Sequence, residues 1–227
     1  MTKPLKLVIF DVDGTLVDSQ DHIVASMEHA FVNAGRPVPS RSDALGIVGL
    51  SLPEAMRVLA PDADDAEVMR LAQDYKTGNR QHREDGAAVA KGPMFEGALE
   101  AIHRLDAAGY ILSAATGKSR AGLNRFLDAQ EIAHLFIATQ TADDAPSKPH
   151  PQMVLNCLSG TGVDAGNAVM IGDTEFDMAM GRAAGARAIG VRWGYHDDAR
   201  VLRGGAERML SAFAELDQAV AELVGMP

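Results

Sequence analysis

Apolar residues along the chain follow two kinds of spacing, which predict strands alternating with helices. Residues Leu7 to Phe10 form an unbroken run of β-prone side chains, as is typical of a central parallel strand buried on both faces. Short apolar runs predict further strands at residues 110–115, 135–139, 168–171, 187–191 and 208–210. Helical spacing separates most of these runs, and a closing amphipathic helix is expected over residues 211–224. The pattern predicts an α/β protein with a doubly wound parallel sheet, a Rossmann-like core.

The chain after the first strand carries helical spacing only. Asp18 or Ser19 can cap a first helix, which Gly35 would end. The residues from Ser51 to Glu54 have the spacing of a capping box, which predicts the start of another helix. A further helix is expected over about residues 64–83.

This stretch without strands interrupts the alternation of strand and helix. We therefore expect an inserted helical cap domain over residues 17–88. The α/β core would consist of residues 1–16 and 89–227. Linkers near residues 15–18 and 86–92 would join the two parts. A cap hinged beside a site can close over a substrate and exclude water.

Polar residues recur where the predicted strands end. Ligands of open α/β sheets bind beyond these carboxyl ends, so the residues are expected to share one site. Taken singly, each has a simpler interpretation, as a turn residue, a strand-end hydroxyl, a solvated charge or a helix cap. Their recurrence in this order favours the shared site. The residues are Asp11, Asp13, Thr116, Lys148, Asp173 and Asp177.

The first strand ends in two carboxylates, Asp11 and Asp13, separated by one residue. Their mutual repulsion can be relieved by a divalent cation or by protonation of one of them. Gly14 permits a sharp turn of the chain, and Thr15 offers a hydroxyl and an amide to an anion. An ordinary Asp-Gly turn is the alternative interpretation.

Composition and charge narrow the classes of function. The chain has 227 residues, of which 47% are hydrophobic and 23% charged, with a net charge of −10. The composition is that of an ordinary globular protein, and the negative charge disfavours nucleic acid and membrane surfaces as partners. Cys157 is the only cysteine, which excludes an intrachain disulfide and is expected of a small buried side chain. With no secretory h-region and no long apolar run, we expect a soluble cytoplasmic protein.

The motifs resemble those of the haloacid dehalogenase-like phosphohydrolase superfamily, especially its phosphoglycolate-phosphatase-like branch. The resemblance covers the whole chain and rests on DVDGT at residues 11–15, on Thr116, on Lys148 and on GDTEFD at residues 172–177. The sequence Trp-Gly-Tyr at residues 193–195 is also similar to that branch. One departure is Thr-Gly-Lys at residues 116–118, where many relatives carry Thr-Asn-Lys or Ser-Asn-Lys.

The resemblance implies a role for each of the acidic motif residues. Asp11 would attack phosphorus and become an aspartyl phosphate. Asp13 would protonate the leaving group and then deprotonate water. Mg²⁺ would be held by Asp11, the backbone carbonyl of Asp13 and Asp173. Asp177 would orient Lys148 or a metal-bound water.

The resemblance also implies a set of contacts to the substrate, a small phosphorylated metabolite. Thr116 and the amide of Gly117 would hold phosphoryl oxygens, and Lys148 would balance the charge of nucleophile and phosphoryl group. The hydroxyl and amide of Thr15 are a further candidate contact. Specificity is expected in the loop at residues 46–51, which has no charged side chain, with Gly49, Leu50 and Ser51 facing the substrate.

Several alternative functions remain at this stage. Hydrolytic dehalogenases and phosphonate hydrolases lack the second Asp of the first motif, so Asp13 disfavours both. A phosphosugar mutase retains that Asp, but usually resembles DLDGV, so Thr15 favours hydrolysis. A magnesium-binding signalling receiver would be about half as long, and a non-catalytic relative would not need the intact motifs. An apolar or hydroxylated phosphate, phosphoglycolate and pyrophosphate all remain possible substrates, and the sequence predicts no oligomeric state.

Overall fold

The computed structural model describes residues 4–85 and 93–227. Six strands form one parallel sheet in the order β3-β2-β1-β4-β5-β6, which confirms the predicted doubly wound sheet. The strands are β1 (Leu7–Phe10), β2 (Ile111–Thr116), β3 (Phe136–Thr141), β4 (Ala168–Gly172), β5 (Arg187–Val191) and β6 (Arg208–Leu210).

Helices surround the sheet and also form a separate segment after β1. That segment contains α1 (Gln20–Asn33), α2 (Arg41–Gly46), α3 (Leu52–Leu59) and α4 (Asp65–Asp85). The remaining helices are α5 (Ala98–Ala107), α6 (Arg120–Ala129), α7 (Gln152–Thr161), α8 (Glu175–Ala183), α9 (Asp198–Gly204) and α10 (Leu216–Val224). No helix among these described elements is both long and apolar enough to cross a membrane.

The unbroken apolar run of β1 is explained by packing on both faces of the sheet. Val8 and Phe10 belong to one buried cluster with side chains of α5, α6 and α10. Leu7 and Ile9 point the other way, into a cluster with α7 that includes Cys157. All four residues of β1 are fully buried, because helices cover the central strand on each side. The prediction that Cys157 is a small buried side chain is confirmed.

The helical segment has an apolar cluster of its own. Met27, Phe31, Met56 and Leu71 are buried there, and they come from α1, α3 and α4. These side chains pack against one another rather than against the sheet. The segment is therefore a separate helical layer that meets the sheet at the carboxyl end of β1.

The two expected linkers have different outcomes. Residues 15–18 are a buried turn rather than an extended connection: Thr15 and Leu16 are fully buried, and the Asp18 N–H donates to the Pro93 carbonyl at 3.0 Å. The expected linker at residues 86–92 lies outside the described residues. The buried turn therefore places the start of α1 directly against the core.

Three local features differ from the sequence expectation. The Ser51 side chain forms no capping hydrogen bond, and a tertiary contact is found at this helix start instead: the Ser51 N–H donates to Ser147 Oγ at 2.8 Å. Helix α9 was not expected, although Asp197 caps it through the Arg200 N–H at 2.8 Å. The closing helix begins at Leu216 instead of residue 211, because a 3₁₀ turn precedes it.

The packing of α1 against α4 generates a prediction about Gly78. A Cβ at this position would lie 2.8 Å from the Cβ of His29. Ala favours a helix over Gly by about 1 kcal/mol, but overpacking a tight contact costs about 1–3 kcal/mol. Gly78→Ala should therefore lower the free energy of unfolding by about 1 kcal/mol in denaturant titrations.

Gly160→Ala is the matched control in helix α7. Its new methyl group would meet the Ala138 Cβ at an ordinary 3.4 Å, so this variant should be as stable as the wild type or more stable by up to about 1 kcal/mol. Equal stabilisation by both substitutions would contradict the close α1–α4 contact.

Candidate active site

A buried lysine lies between two carboxylates at the carboxyl end of the sheet. Lys148 Nζ is 2.8 Å from Asp11 Oδ1 and 2.6 Å from Asp177 Oδ1. Asp11 follows β1, and Lys148 lies in the loop between β3 and α7. All three side chains are at most 1% exposed. A charge this deeply buried is tolerated only with opposite charges beside it.

Asp173 follows β4 and is held in place by two donors. Its Oδ1 accepts a hydrogen bond from the Thr15 hydroxyl at 3.0 Å, and its Oδ2 accepts one from the Tyr195 N–H at 2.8 Å. The Trp193 indole N–H donates to the Thr15 carbonyl at 3.0 Å. The Trp-Gly-Tyr sequence therefore secures both Asp173 and the turn that follows Asp11.

Asp177 is oriented by the first turn of α8. The N-cap residue of this helix is Thr174, and Thr174 and Asp177 form a capping box. Asp177 Oδ2 accepts hydrogen bonds from the Thr174 hydroxyl and N–H, at 2.6 and 3.1 Å. The other oxygen remains for Lys148. Since Thr174 caps the helix, the simpler interpretation of Asp173 as the cap residue is wrong.

Asp11, Asp173 and Asp177 form a group that fits a divalent cation. Each offers a carboxylate oxygen, and the three oxygens lie within 4.8 Å of one another. Neither oxygen of Asp11 accepts a well-directed hydrogen bond from a described residue, although Lys148 is close enough for an ion pair. Carboxylate oxygens are the hard ligands that Mg²⁺ and Ca²⁺ prefer, and the oxygens of Asp11 are the ones left for such an ion.

The electrostatics of these carboxylates also favour a bound cation. Burial raises the pKa of Asp11 to about 7, with Lys148 opposing this shift and Asp177 adding to it. The pKa of Asp173 is raised by burial and by the charges of Asp177 and Asp11. Burial alone would lower the pKa of Lys148, but Asp11 and Asp177 raise it. Three carboxylates around one ammonium leave an excess of negative charge, which a cation would neutralise.

Asp13 is held by a different set of residues. Its Oδ1 lies 2.7 Å from Lys118 Nζ and accepts a hydrogen bond from the Ser19 hydroxyl. The Tyr195 hydroxyl accepts a hydrogen bond from the Ser19 N–H at 3.0 Å. Sequence reasoning missed Lys118, Ser19 and this contact of Tyr195. Lys118 and Tyr195 belong to the Thr-Gly-Lys and Trp-Gly-Tyr sequences noted above. Their membership of these motifs was the sequence signal that could have placed them near the site.

A cavity of about 560 Å³ opens between the sheet and the helical segment. Six of the predicted site residues line it, namely Asp11, Asp13, Thr116, Gly117, Gly49 and Leu50. Lys148, Asp173 and Asp177 are buried beside it, in contact with Asp11 or within the same group. The structure thus brings the carboxylates, the hydroxyl and the expected specificity loop to one place.

Two predicted substrate contacts are positioned differently from the others. Thr15 is fully buried, and its hydroxyl donates to Asp173 rather than pointing into the cavity. Ser51 is not among the residues that line the cavity. Its N–H is bound to Ser147. Their contacts to a substrate stay predictions.

The loop at residues 46–51 lies directly on the core. A Cβ at Gly117 would be 2.8 Å from the Gly49 carbonyl oxygen and 3.0 Å from that of Leu50. Asn at this position would therefore clash with the loop backbone, which accounts for Thr-Gly-Lys in this chain.

His196 also holds this loop. Its Nδ1 accepts from the Glu175 N–H at 3.1 Å, so Nε2 carries the proton and donates to the Gly46 carbonyl at 3.0 Å. Burial, with the nearby charge of Arg200, lowers the pKa of His196, so the ring is neutral near pH 7. Sequence reasoning also missed this residue.

The chain is similar to known hydrolases over most of its length. Residues 8–191 match the family model described as haloacid dehalogenase-like hydrolase. The chain is 34% identical over 212 residues to a protein named probable phosphatase IndB from Dickeya dadantii, covering 92% of this chain and 91% of that protein. It is 30% identical to pyrophosphatase PpaX of Bacillus pumilus, covering 93% and 94%.

A solved structure of a hydrolase from Pseudomonas syringae has the same fold. It superposes with a TM-score of 0.84 at 24% identity, and the match covers 96% of this chain and 99% of that one. The parallel sheet and the helical segment are thus both included in the likeness.

The raised pKa values generate a prediction about stability without metal. A carboxyl group whose pKa is higher in the folded protein stabilises the fold at low pH, and this contribution is lost as pH rises. For Asp11 the loss falls between about pH 4 and the value of about 7 in the folded protein. Asp11→Asn cannot ionise, so in chelator at pH 8 it should unfold at a higher temperature than the wild type. We expect about 2–4 °C for each kcal/mol gained.

Two measurements check this assignment. The advantage of Asp11→Asn should shrink at pH 5, where the wild-type carboxyl group is protonated, and it should shrink when Mg²⁺ is added at pH 8. If Asp11→Asn were instead less stable at pH 8 in chelator, the ion pair with Lys148 would outweigh the burial of charge.

Proposed function

The chain belongs to the haloacid dehalogenase-like hydrolase family, and we propose that it is a magnesium-dependent phosphatase that hydrolyses a small phosphate monoester. The observation that carries the proposal is Asp11, a buried carboxylate at the edge of a 560 Å³ cavity. It has Lys148 at 2.8 Å and accepts no well-directed hydrogen bond from the residues that the structure describes. Relatives named phosphatase and pyrophosphatase support the same class of reaction.

Asp11 is the proposed nucleophile. One of its oxygens forms a bond to phosphorus while the bond from phosphorus to the ester oxygen breaks, which leaves an aspartyl phosphate. A carboxylate with few hydrogen-bond donors is a better nucleophile than a solvated one, because less solvation is lost on attack. The covalent intermediate divides one difficult displacement into two easier ones.

Asp13 is the proposed general acid and base. It lines the same cavity two residues after Asp11, as a proton donor to the leaving oxygen must. In the second step it takes a proton from the water that attacks phosphorus, and the bond to Asp11 breaks. Lys118 and Ser19 fix the orientation of its carboxylate.

A cation is proposed on Asp11, Asp173 and the backbone carbonyl of Asp13. Bound there, Mg²⁺ would reduce the repulsion between the anionic nucleophile and the phosphate dianion. Asp177 holds Lys148 through a 2.6 Å contact, and its oxygen also belongs to the carboxylate group that fits a cation. Lys148 then balances the charge on Asp11 and the incoming phosphoryl group.

The remaining contacts concern the substrate. Thr116 and the Gly117 amide are proposed to hold phosphoryl oxygens at the end of β2. Thr15 contributes indirectly, by holding Asp173. We propose that residues 17–88 are a cap domain, and that Gly49 and Leu50 close over the bound phosphate to exclude water.

Asp11→Asn should abolish turnover while the fold is kept. An amide is nearly isosteric with the carboxylate but is not a nucleophile, so phosphate release from a generic aryl phosphate should fall by about 10⁴-fold or more.

Asp173→Ala should raise the Mg²⁺ concentration needed for half-maximal activity, because one hard ligand is lost.

Circular dichroism of each variant controls for folding. Activity of Asp11→Asn within tenfold of the wild type, after deamidation is excluded by mass, would refute the nucleophile. Full wild-type activity in excess chelator would refute the magnesium requirement. Calcium should inhibit, because its larger and looser ligand shell misplaces the reacting groups.

Asp13→Asn should separate the two chemical steps. Aryl leaving groups need little protonation, so the variant should still form the aspartyl phosphate, and then break it down slowly. Rapid-mixing experiments should show a burst of phenol release followed by weak turnover. Alkyl phosphates should show no burst, because their leaving groups require the acid.

Labelled water distinguishes hydrolysis from phosphoryl transfer to a sugar. Attack of water on phosphorus places one solvent ¹⁸O in the released phosphate from the first turnover, and leaves Asp11 unlabelled. Transfer to a sugar hydroxyl with little free phosphate would identify a mutase instead.

A further inference from the structure

The cavity beside Asp11 and Asp13 also carries information about the leaving group. We infer that the substrate is the phosphate monoester of an alcohol with an apolar body, such as a branched aliphatic or aromatic alcohol, rather than pyrophosphate or phosphoglycolate. The inference rests on the proposed function and adds the chemical class of the substrate.

The size of the cavity is the first observation. Its volume of about 560 Å³ lies in the range of ~300–1,000 Å³ that buries most of a drug-sized ligand. A water molecule takes up ~30 Å³ of liquid volume, so a cavity of this size has room for many more atoms than those of one phosphate group. A second phosphate or a two-carbon acid would leave most of this volume filled with water.

Part of the cavity wall, contributed by the helical segment, is apolar. Ile23 and Met27 come from α1, Val48 from the loop over the site, and Leu52 from the start of α3. Ile23, Met27 and Val48 are at most 7% exposed, so they belong to packed structure and present only one side to the cavity. Contact with an apolar ligand would remove this surface from water, which is favourable in proportion to its area.

Tyr75 adds an aromatic ring to the same wall. It lies on α4 and lines the cavity. Asp13 lines the same cavity, and burial together with the charge of Asp13 raises the pKa of the Tyr75 hydroxyl. A ring in this place can stack on an aromatic leaving group while that group's oxygen stays close to Asp13.

The charges around the cavity do not suit a second anionic group. Among the described residues that line it, four carry carboxylates, Asp11, Asp13, Asp18 and Asp21, and three are Lys or Arg. Of these three, Lys118 is already paired with Asp13 at 2.7 Å.

The other two cations, Lys76 and Arg125, are exposed to solvent. An ion pair between an exposed cation and a ligand contributes little to the free energy of binding. Contact with the apolar wall instead favours a leaving group without charge. The described lining thus favours a substrate whose only strong charge is its phosphate.

A series of alkyl phosphates tests the inference directly. With Mg²⁺ present, kcat/KM should rise about fourfold for each methylene added from methyl to butyl phosphate. The kcat/KM for benzyl phosphate should exceed that for methyl phosphate by at least as much as the kcat/KM for butyl phosphate does. Phosphoglycolate and pyrophosphate should have a lower kcat/KM than butyl phosphate.

Two leucines on helix α3 provide a matched pair of variants. Leu52 and Leu59 are both partly buried against the same apolar cluster, but only Leu52 is among the cavity-lining residues. Leu52→Gln should lower kcat/KM for butyl phosphate about tenfold and leave methyl phosphate within twofold. Leu59→Gln should leave the ratio of kcat/KM for butyl phosphate to that for methyl phosphate unchanged. It therefore controls for any general loss of packing.

Specific outcomes would overturn the inference. A flat or falling series from methyl to butyl phosphate would do so, as would equal effects of Leu52→Gln and Leu59→Gln on the butyl-to-methyl ratio. Preference for phosphoglycolate would overturn it while upholding the proposed monoester phosphatase, and preference for pyrophosphate would overturn both the inference and the monoester specificity.

Binding without turnover distinguishes the two proposals. Calorimetry should show that naphthylmethylphosphonate binds at least tenfold more tightly than methylphosphonate, and that Leu52→Gln reduces the difference. If this binding is found but no ester is hydrolysed, the proposed reaction fails and the apolar subsite stands. If the two phosphonates bind equally, the apolar subsite is refuted whatever the activity.

Discussion

The ammonium group of Lys148, buried between Asp11 and Asp177, is the interaction on which the rest of the site depends. Burying this charge alone would be unfavourable, and the carboxylates reverse that penalty because each lies within 2.8 Å. With Asp173 nearby, the group has more negative than positive charge. That imbalance, in a place shielded from water, favours a bound cation, and under the proposed function the cation would offset the repulsion between these carboxylates and a phosphate.

Sheet order determines how these groups meet. β1 lies between β2 and β4, so the carboxyl ends that carry Asp11, Thr116 and Asp173 are neighbours. Local structure then orients each side chain: the turn after Asp11 supplies the Thr15 hydroxyl to Asp173, and the capping box of α8 directs Asp177. The capping box uses a hydrogen bond that the helix end would need in any case, whereas the Thr15 bond joins two side chains from different strand ends.

The helical segment changes this edge of the sheet into an enclosed site. Its loop rests on Gly117 so closely that a side chain there would meet backbone oxygens, and His196 and Ser147 bind the loop from the core. The same segment supplies the apolar wall of the cavity. Under the proposed function, reaction and specificity would come from different parts of the chain, as expected where a rigid sheet holds the chemistry and a loop selects the ligand.

The sequence by itself determined the parallel sheet, the helical segment and the residues gathered at the strand ends. These follow from local rules: an unbroken apolar run such as Leu7 to Phe10 needs cover on both faces, and parallel strands bring their carboxyl ends together. Contacts between distant residues carry no such local signal. Lys118 on Asp13, the hydrogen bond from Ser51 to Ser147 and the shape of the cavity depend on how the helical segment packs on the sheet. Only the tertiary structure decided them, because spacing along a chain does not encode the distance between two packed surfaces.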